Sequence, residues 1–312
     1  MKILFYTIDP NPARWAETLQ QHLPEAQIAM FPDGREVQAD YAVCWKPPAD
    51  FFDGQHNIKA VFNIAAGVDA ILAHPGMRQG HLREVPIVRL GDAGMAAQME
   101  EYVLAAALRW QRKLDIYAAQ QRAGTWNMLA PKKRDRVTVG VLGLGVLGAH
   151  VAQSMQRFGY QAAGWSRHPK QVEGVACQHG ANGLKTFLAH TNVLVCLLPL
   201  TEDTRGILNR TNLVQLPKGA HLVNIGRGAH LVEADLLALL DDGHLGGATL
   251  DVFADEPLPA TSRLWTHPRV LVTPHVSAAT LRGESMAQIA HKIRAIERGE
   301  ALTDVVDRNK GY

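Results

Sequence analysis

The stretch VTVGVLGLGVLGAHVAQSM, Val137 to Met155, decides how this chain is read. Val137 to Leu142 is an apolar run of strand length, and Ala149 to Phe158 carries helical spacing. Between them lies Gly143-Leu144-Gly145-Val146-Leu147-Gly148. Strand, GxGxxG turn and helix in this order place three glycines where each has a physical task. Gly143 permits the tight turn, Gly145 lets backbone approach a pyrophosphate, and Gly148 lets helix and strand pack closely. The anion then lies on the helix N-terminus, against unpaired N–H groups such as those of Val146 and Leu147, where the dipole also favours negative charge.

The second strand, Gln161 to Trp165, specifies the nucleotide. An acidic residue at its end would accept hydrogen bonds from ribose hydroxyls and repel a 2′-phosphate. Here the chain offers Ser166, Arg167, His168 and Lys170, one hydroxyl and up to three cations. Each charge-assisted hydrogen bond is worth about 1.5–3 kcal/mol, so two of them favour the 2′-phosphorylated form by on the order of a hundredfold or more. The expected cofactor is NADPH (NADP).

Working outward, a second alternating set of elements surrounds this unit. Strand candidates are Val137 to Leu142, Gln161 to Trp165, Val193 to Leu197, His221 to Asn224, Ala248 to Val252 and Val270 to Val272, six in the order of a doubly wound dinucleotide fold. Upstream, Lys2 to Thr7 runs into Asp9-Pro10-Asn11-Pro12, and similar apolar runs occupy Tyr41 to Trp45 and Val61 to Ile64. That alternation predicts another parallel sheet covered by helices. Gly94 to Leu114 reads as one long Ala-rich helix able to link two domains. Leu281 to Arg298 is amphipathic and follows the last strand, so it is expected to return to the first domain. The expected domains are 1–95 with 281–312, and 96–280.

Bulk properties exclude several classes. The 312 residues carry a formal net charge of +2 with both signs intermixed, so there is no single-sign stripe for a nucleic acid to follow. Apolar runs such as Val193 to Leu198 fall far short of the roughly 20 residues that span a bilayer. Cys44, Cys177 and Cys196 lack metal-binding or disulfide-like spacing, and the start, MKILFYTIDPNP, lacks the pattern of a signal peptide. A cytoplasmic protein with reduced thiols, no metal site, no membrane contact and no nucleic-acid partner is expected.

Three further stretches, HLVNIGRGAHL, TLDVFADEPLP and VLVTPHVSAAT, each follow a strand candidate, where doubly wound sheets place their ligands. They offer Arg227, Glu256 and His275. Together they offer an anion holder and a proton donor. Arginine can hold carboxylate and carbonyl oxygens bidentately. Histidine exchanges protons near neutral pH, with a reference value of about 6.5, and a glutamate on its far nitrogen fixes the ring and stabilises the imidazolium.

With these residues in place, the chain resembles the D-isomer-specific 2-hydroxyacid dehydrogenases over nearly its whole length. The glycine loop, LLPLTEDT (Leu197 to Thr204), NIGRG, DVFADEP and TPHVSAAT match the motifs of that family in order and spacing. VCWKPP (Val43 to Pro48), NIAAGVDAI and the Ser166-Arg167 pair look most like its glyoxylate- and hydroxypyruvate-reducing members. The resemblance implies an α/β chain of two doubly wound parallel-sheet domains, a Rossmann-type cofactor domain and a flavodoxin-like substrate domain. It implies Arg227, Glu256 and His275 as the catalytic set, and places Leu198, Pro199, Ile225 and Asp251 beside the nicotinamide. It also implies that the loop Ala66-Gly67-Val68 binds a small carboxylate through backbone N–H groups.

Trp45 would wall that pocket and favour short substrates. The expected activity is NADPH-dependent reduction of glyoxylate to glycolate and of hydroxypyruvate to D-glycerate. The family resemblance further implies a homodimer formed through the cofactor domain, with Ala96 to Leu114 as a candidate face. Rival readings are an NAD-dependent D-lactate or 3-phosphoglycerate dehydrogenase, and a non-catalytic dinucleotide-sensing co-repressor.

Overall fold

The computed structural model describes all residues, 1–312, and the chain divides into two compact units. The first comprises Met1–Gly94 with Thr280–Tyr312, the second Met95–Ala279.

In the first unit, β1 (Lys2–Thr7) ends at the predicted Asp9-Pro10 turn, and Pro12 opens α1 (Pro12–His22), where its missing N–H costs nothing. The sheet adds β2 (Gln27–Met30), β3 (Tyr41–Trp45), β4 (Ala60–Asn63) and β5 (Ile87–Val88), in the order β2-β1-β3-β4-β5, all parallel. This is the flavodoxin-like order. Two of its five strands were not expected: β2 is a short half-exposed strand at one edge, and β5 has only two residues. The C-terminal helix, Arg282–Glu297, packs against α1 within this unit. Buried Lys292 on that helix ties down the tail through Arg89 O and Asp304 Oδ2, each at 2.8 Å.

The second unit starts with α3 (Met95–Gln111), after the short α2 (Asp69–Ala73) of the first. The expected single helix to Leu114 is instead broken. Lys113 takes a left-handed conformation at φ 55, and a separate α4 runs Leu114–Arg122. The Ala-rich side of α3 is spent on the core, with Ala96, Val103, Ala106 and Ala107 buried.

The sheet of this unit has seven parallel strands: β6 (Thr138–Leu142), β7 (Gln161–Ser166), β8 (Ala176–His179), β9 (Val193–Cys196), β10 (Ala220–Asn224), β11 (Leu245–Leu250) and β12 (Val270–Val272). Their order is β12-β11-β10-β9-β6-β7-β8, the doubly wound order with one strand added. The one strand of this sheet that was not expected, β8, escaped the sequence because ACQH at a half-exposed edge shows no apolar run.

Alternation along the strands builds a core on each face. Leu142, Leu194, Leu222 and Leu250 pack with Leu236 and Leu239 of the helix Glu233–Asp241. Val139, Val141, Val195 and Val223 pack with α3 and with Val151 and Met155 of α5 (Val146–Arg157). Burial on both faces leaves the C-terminal strand ends as the place for function. No helix is long and apolar enough to cross a membrane.

Candidate active site

The strand order of the second unit reverses between β9 and β6, so the loops leaving these strands flank a crevice where doubly wound sheets take ligands. The glycine turn leaves β6 there. Gly143 has φ 101, and a Cβ on it would meet Leu197 O at 2.7 Å; one on Gly148 would fall 1.8 Å from Gly143 O. Both positions therefore exclude any side chain. A Cβ on Gly145, by contrast, would meet nothing within 4 Å. Nothing in the protein demands that glycine, so the space beside it suits the approach of a ligand such as a pyrophosphate. The helix begins at Val146 rather than Ala149, which puts Val146, Leu147 and Gly148 in its first turn.

Beyond β7, Ser166 donates to His168 O at 2.8 Å, and Lys170 Nζ donates to Leu144 O at 2.6 Å, joining this loop to the glycine turn. Arg167 pairs with Asp203 in the loop after β9, Nη2 to Oδ2 at 3.2 Å. Leu198 and Pro199 begin that loop, and Ile225 directly follows β10; Leu198 and Ile225 are buried.

Two of the three ionisable residues expected to act together, Glu256 and His275, are brought into direct contact. His275 and Glu256 lie after neighbouring strands, with His275 Nδ1 2.9 Å from Glu256 Oε2. A carboxylate only accepts, so Nδ1 carries the proton toward it and Nε2 is left for chemistry. The other glutamate oxygen accepts from Phe253 N at 3.0 Å, which fixes the carboxylate plane. His275 sits at φ 57, a left-handed conformation uncommon outside glycine that is held by surrounding structure.

That surrounding structure is Asp251. Fully buried at the end of β11, it accepts from Thr273 Oγ1 at 2.6 Å and Val276 N at 2.8 Å on one oxygen, and from Ser277 N at 2.8 Å on the other. Its backbone carbonyl accepts from His275 N at 2.9 Å. Tyr102 of α3 completes the chain through Thr273 Oγ1 at 2.6 Å, and burial pushes its hydroxyl up to about 12, so it stays a donor. The Asp251 carboxylate thus organises the histidine loop.

Arg227 follows β10. Gly228 lets its loop lie against the loop carrying Glu256, since a Cβ there would fall 1.8 Å from Phe253 C. Its guanidinium donates to Gly226 O at 2.8 Å. Two buried side chains clamp its backbone: Asn224 Nδ2 donates to Arg227 O at 3.1 Å, and Arg227 N donates to His230 Nδ1 at 3.1 Å. The second ring nitrogen of His230 lies 3.3 Å from Pro199 O. Because Nδ1 accepts, the proton resides on Nε2 and points at that carbonyl. Burial lowers the His230 pKa, in keeping with a neutral ring.

His230, Thr273, Tyr102 and Asp203 are residues that sequence reasoning missed. His230 and Thr273 lay within quoted motifs, but nothing local distinguishes a clamp from a spacer.

In the first unit, Ala66, Gly67 and Val68 lie in the loop that joins β4 to α2, which starts at Asp69. Asn63 shapes the loop by donating to Ala65 O at 3.0 Å and Gly67 O at 2.9 Å. Trp45 ends β3 with Lys46 Nζ 5.5 Å from its ring centroid.

Against known proteins, residues 104–277 match the family described as D-isomer specific 2-hydroxyacid dehydrogenase, NAD binding domain. The chain belongs to this family of oxidoreductases acting on the CH–OH group. It is 45% identical over 316 residues to glyoxylate/hydroxypyruvate reductase A of Salmonella typhimurium, covering 100% of both chains. Among solved structures, a D-isomer specific 2-hydroxyacid dehydrogenase from Xanthobacter autotrophicus Py2 in complex with NADPH and MES superposes with a TM-score of 0.93 at 41% identity, covering 100% of this chain and 99% of that one. The NADPH-dependent glyoxylate/hydroxypyruvate reductase of Sinorhizobium meliloti, in complex with NADP and sulfate, gives 0.92 at 37%, with the same coverage.

Proposed function

We propose that the protein is an NADPH-dependent reductase of short 2-oxo acids, converting glyoxylate to glycolate and hydroxypyruvate to D-glycerate. The observation that carries this reading is the Glu256–His275 pair at 2.9 Å, on a loop anchored by Asp251 at the carboxyl edge of a dinucleotide-type sheet. The reductase names and NADPH or NADP complexes of full-length relatives support the substrate and cofactor.

The bound cofactor supplies the hydride. His275 Nε2 gives the proton to the carbonyl oxygen, while Glu256 keeps the ring oriented and stabilises the charge it bears before transfer. Arg227 leaves Gly226 O to hold the carboxylate and carbonyl oxygens. In the first unit, the backbone N–H groups of Ala66, Gly67 and Val68 are donors suited to a small carboxylate, and Trp45 is a bulky residue suited to limiting ligand length. Gly143, Gly145, Val146, Leu147 and Gly148 would hold the pyrophosphate of the cofactor, Ser166, Arg167 and Lys170 its ribose 2′-phosphate, and Leu198, Pro199, Ile225 and Asp251 its nicotinamide.

The protein acts as a homodimer through the cofactor unit. Trp126 and Met128 are almost wholly exposed there and Leu114 and Ile116 half exposed, an apolar surface that suits coverage by a second copy. It moves the expected face from α3 to α4 and the segment after it. The unpaired cysteines fit a cytoplasmic setting.

The test is a kinetic matrix of NADPH and NADH against glyoxylate, hydroxypyruvate, pyruvate and phosphohydroxypyruvate. The expected result is the highest kcat/KM with NADPH and the first two acids. Preference for NADH, or for phosphohydroxypyruvate, overturns the reading.

A further inference from the structure

Arg167 does not wait unpaired for a nucleotide. It leaves β7 and pairs with Asp203, which leaves β9, so the pair joins loops from the two strands on either side of β6 and its glycine turn. The other groups near the end of β7 are committed locally, Ser166 to His168 O and Lys170 to Leu144 O. Arg167 is thus the cation in this cluster held by another side chain, and that side chain is an anion.

The loop presenting Asp203 is tightly turned. Thr201 N donates to Thr204 Oγ1 at 2.8 Å, Thr204 Oγ1 donates to Pro199 O at 2.7 Å, and Arg205 N reaches Thr201 O at 2.9 Å. The carboxylate stands on this turn with its side chain 75% exposed, and the Arg167 side chain is 36% exposed.

We infer that Asp203 is a specificity-determining residue: its carboxylate occupies Arg167 in the nucleotide-free protein, and a ribose 2′-phosphate must displace it. The inference rests on the proposed use of NADPH. A phosphate dianion forms stronger, bidentate contacts with a guanidinium than one exposed carboxylate does, so the exchange proceeds toward phosphate. The carboxylate nevertheless competes for the arginine and repels the incoming dianion. NADH brings a 2′-hydroxyl in place of the phosphate and leaves the ion pair standing. Asp203 therefore lowers affinity for NADPH alone, and narrows a preference that Arg167 creates.

The test is a double-mutant cycle on the full chain, with dissociation constants for NADPH and NADH measured for wild type, Asp203→Asn, Arg167→Ala and the double variant. Asp203→Asn is nearly isosteric and exposed, so the fold is retained. It is expected to tighten NADPH by about two- to fivefold, the range of exposed ion pairs, and to leave NADH unchanged. On the Arg167→Ala background the same substitution is expected to change NADPH affinity by less than about half that factor. Equal tightening on both backgrounds, equal change for both nucleotides, or no change overturns the inference while leaving the cofactor reading intact. Wild type binding NADH more tightly than NADPH removes the cofactor reading itself, and the inference with it.

Discussion

The two ends of the crevice in the second unit hold their polar groups in opposite ways. At the reaction end, the groups that set geometry are buried and fully engaged: Asp251 holds the His275 loop, while Asn224 and His230 hold the backbone of Arg227. At the nucleotide end, Arg167 and Asp203 form one exposed pair. A buried, hydrogen-bonded polar group is costly to disturb, whereas an exposed ion pair is worth about 0–1 kcal/mol. On the proposed function, the buried, firmly held groups lie where atoms must be aligned for chemistry, and the exposed, exchangeable pair lies where a charged ligand must enter.

The largest effect is expected from removing the anchor at the rigid end. Asp251→Ala leaves Thr273 Oγ1, Val276 N and Ser277 N without their acceptor; the buried Ser277 N–H alone costs about 1–3 kcal/mol when stranded, and half-buried Thr273 and exposed Val276 add less. The thermal midpoint should fall by on the order of 10 °C, and kcat with glyoxylate should fall at least as far as when the histidine itself is lost. An unchanged midpoint and kcat would show that the His275 loop holds itself.

Next comes the histidine. His275→Ala should lower kcat by about a hundred- to ten-thousandfold, the usual contribution of a general acid, with NADPH affinity almost unchanged. His275→Gly adds a sharper test, because φ 57 costs a residue with a Cβ roughly 1 kcal/mol. The glycine variant should be as inactive as the alanine variant yet at least as stable as wild type. Loss of NADPH binding in either variant would move His275 out of the proton-donor role.

The same contrast explains what could be read from sequence. The glycine turn and the placement of Arg227, Glu256 and His275 in loops after strands were legible because each depends on a local pattern: a turn that excludes side chains, or an ionisable group in the loop leaving an apolar run. The clamps were not, because Asp251 meets Ser277 and His230 meets Pro199 only once separate strands lie side by side. Asp203 sat in a quoted motif, but its partner Arg167 belongs to a different βα loop. In the fold, buried strands showed as apolar runs, while edge strands β2 and β8 carry half-exposed polar residues and β5 is too short for any pattern. The end of α3 was missed because the turn at Lys113 has neither glycine nor proline to announce it.

The smallest effect, and the finest probe of the rigid end, is expected at His230. His230→Gln keeps an acceptor for Arg227 N and a donor for Pro199 O but shortens the reach of both. One weakened buried hydrogen bond is worth about 1 kcal/mol, so KM for the oxo acid should rise about fivefold through Arg227, with a smaller change in kcat. His230→Leu strands both backbone groups and should raise KM further.

The pH dependence of stability separates positioning from packing. Burial lowers the pKa of His230 below its ordinary 6.5, and burial holds His221 down at about 3. Between pH 6.5 and each ring's lowered folded value, the unfolded chain binds protons on these rings that the folded chain does not, so stability falls as the solution is acidified through that window. Glutamine at 230 takes no proton in either state, so thermal midpoints of His230→Gln should fall less steeply than those of wild type below pH 6.5. A glutamine variant with an unchanged KM and an unchanged acid slope would mean that His230 fills space beside Arg227 without setting its position.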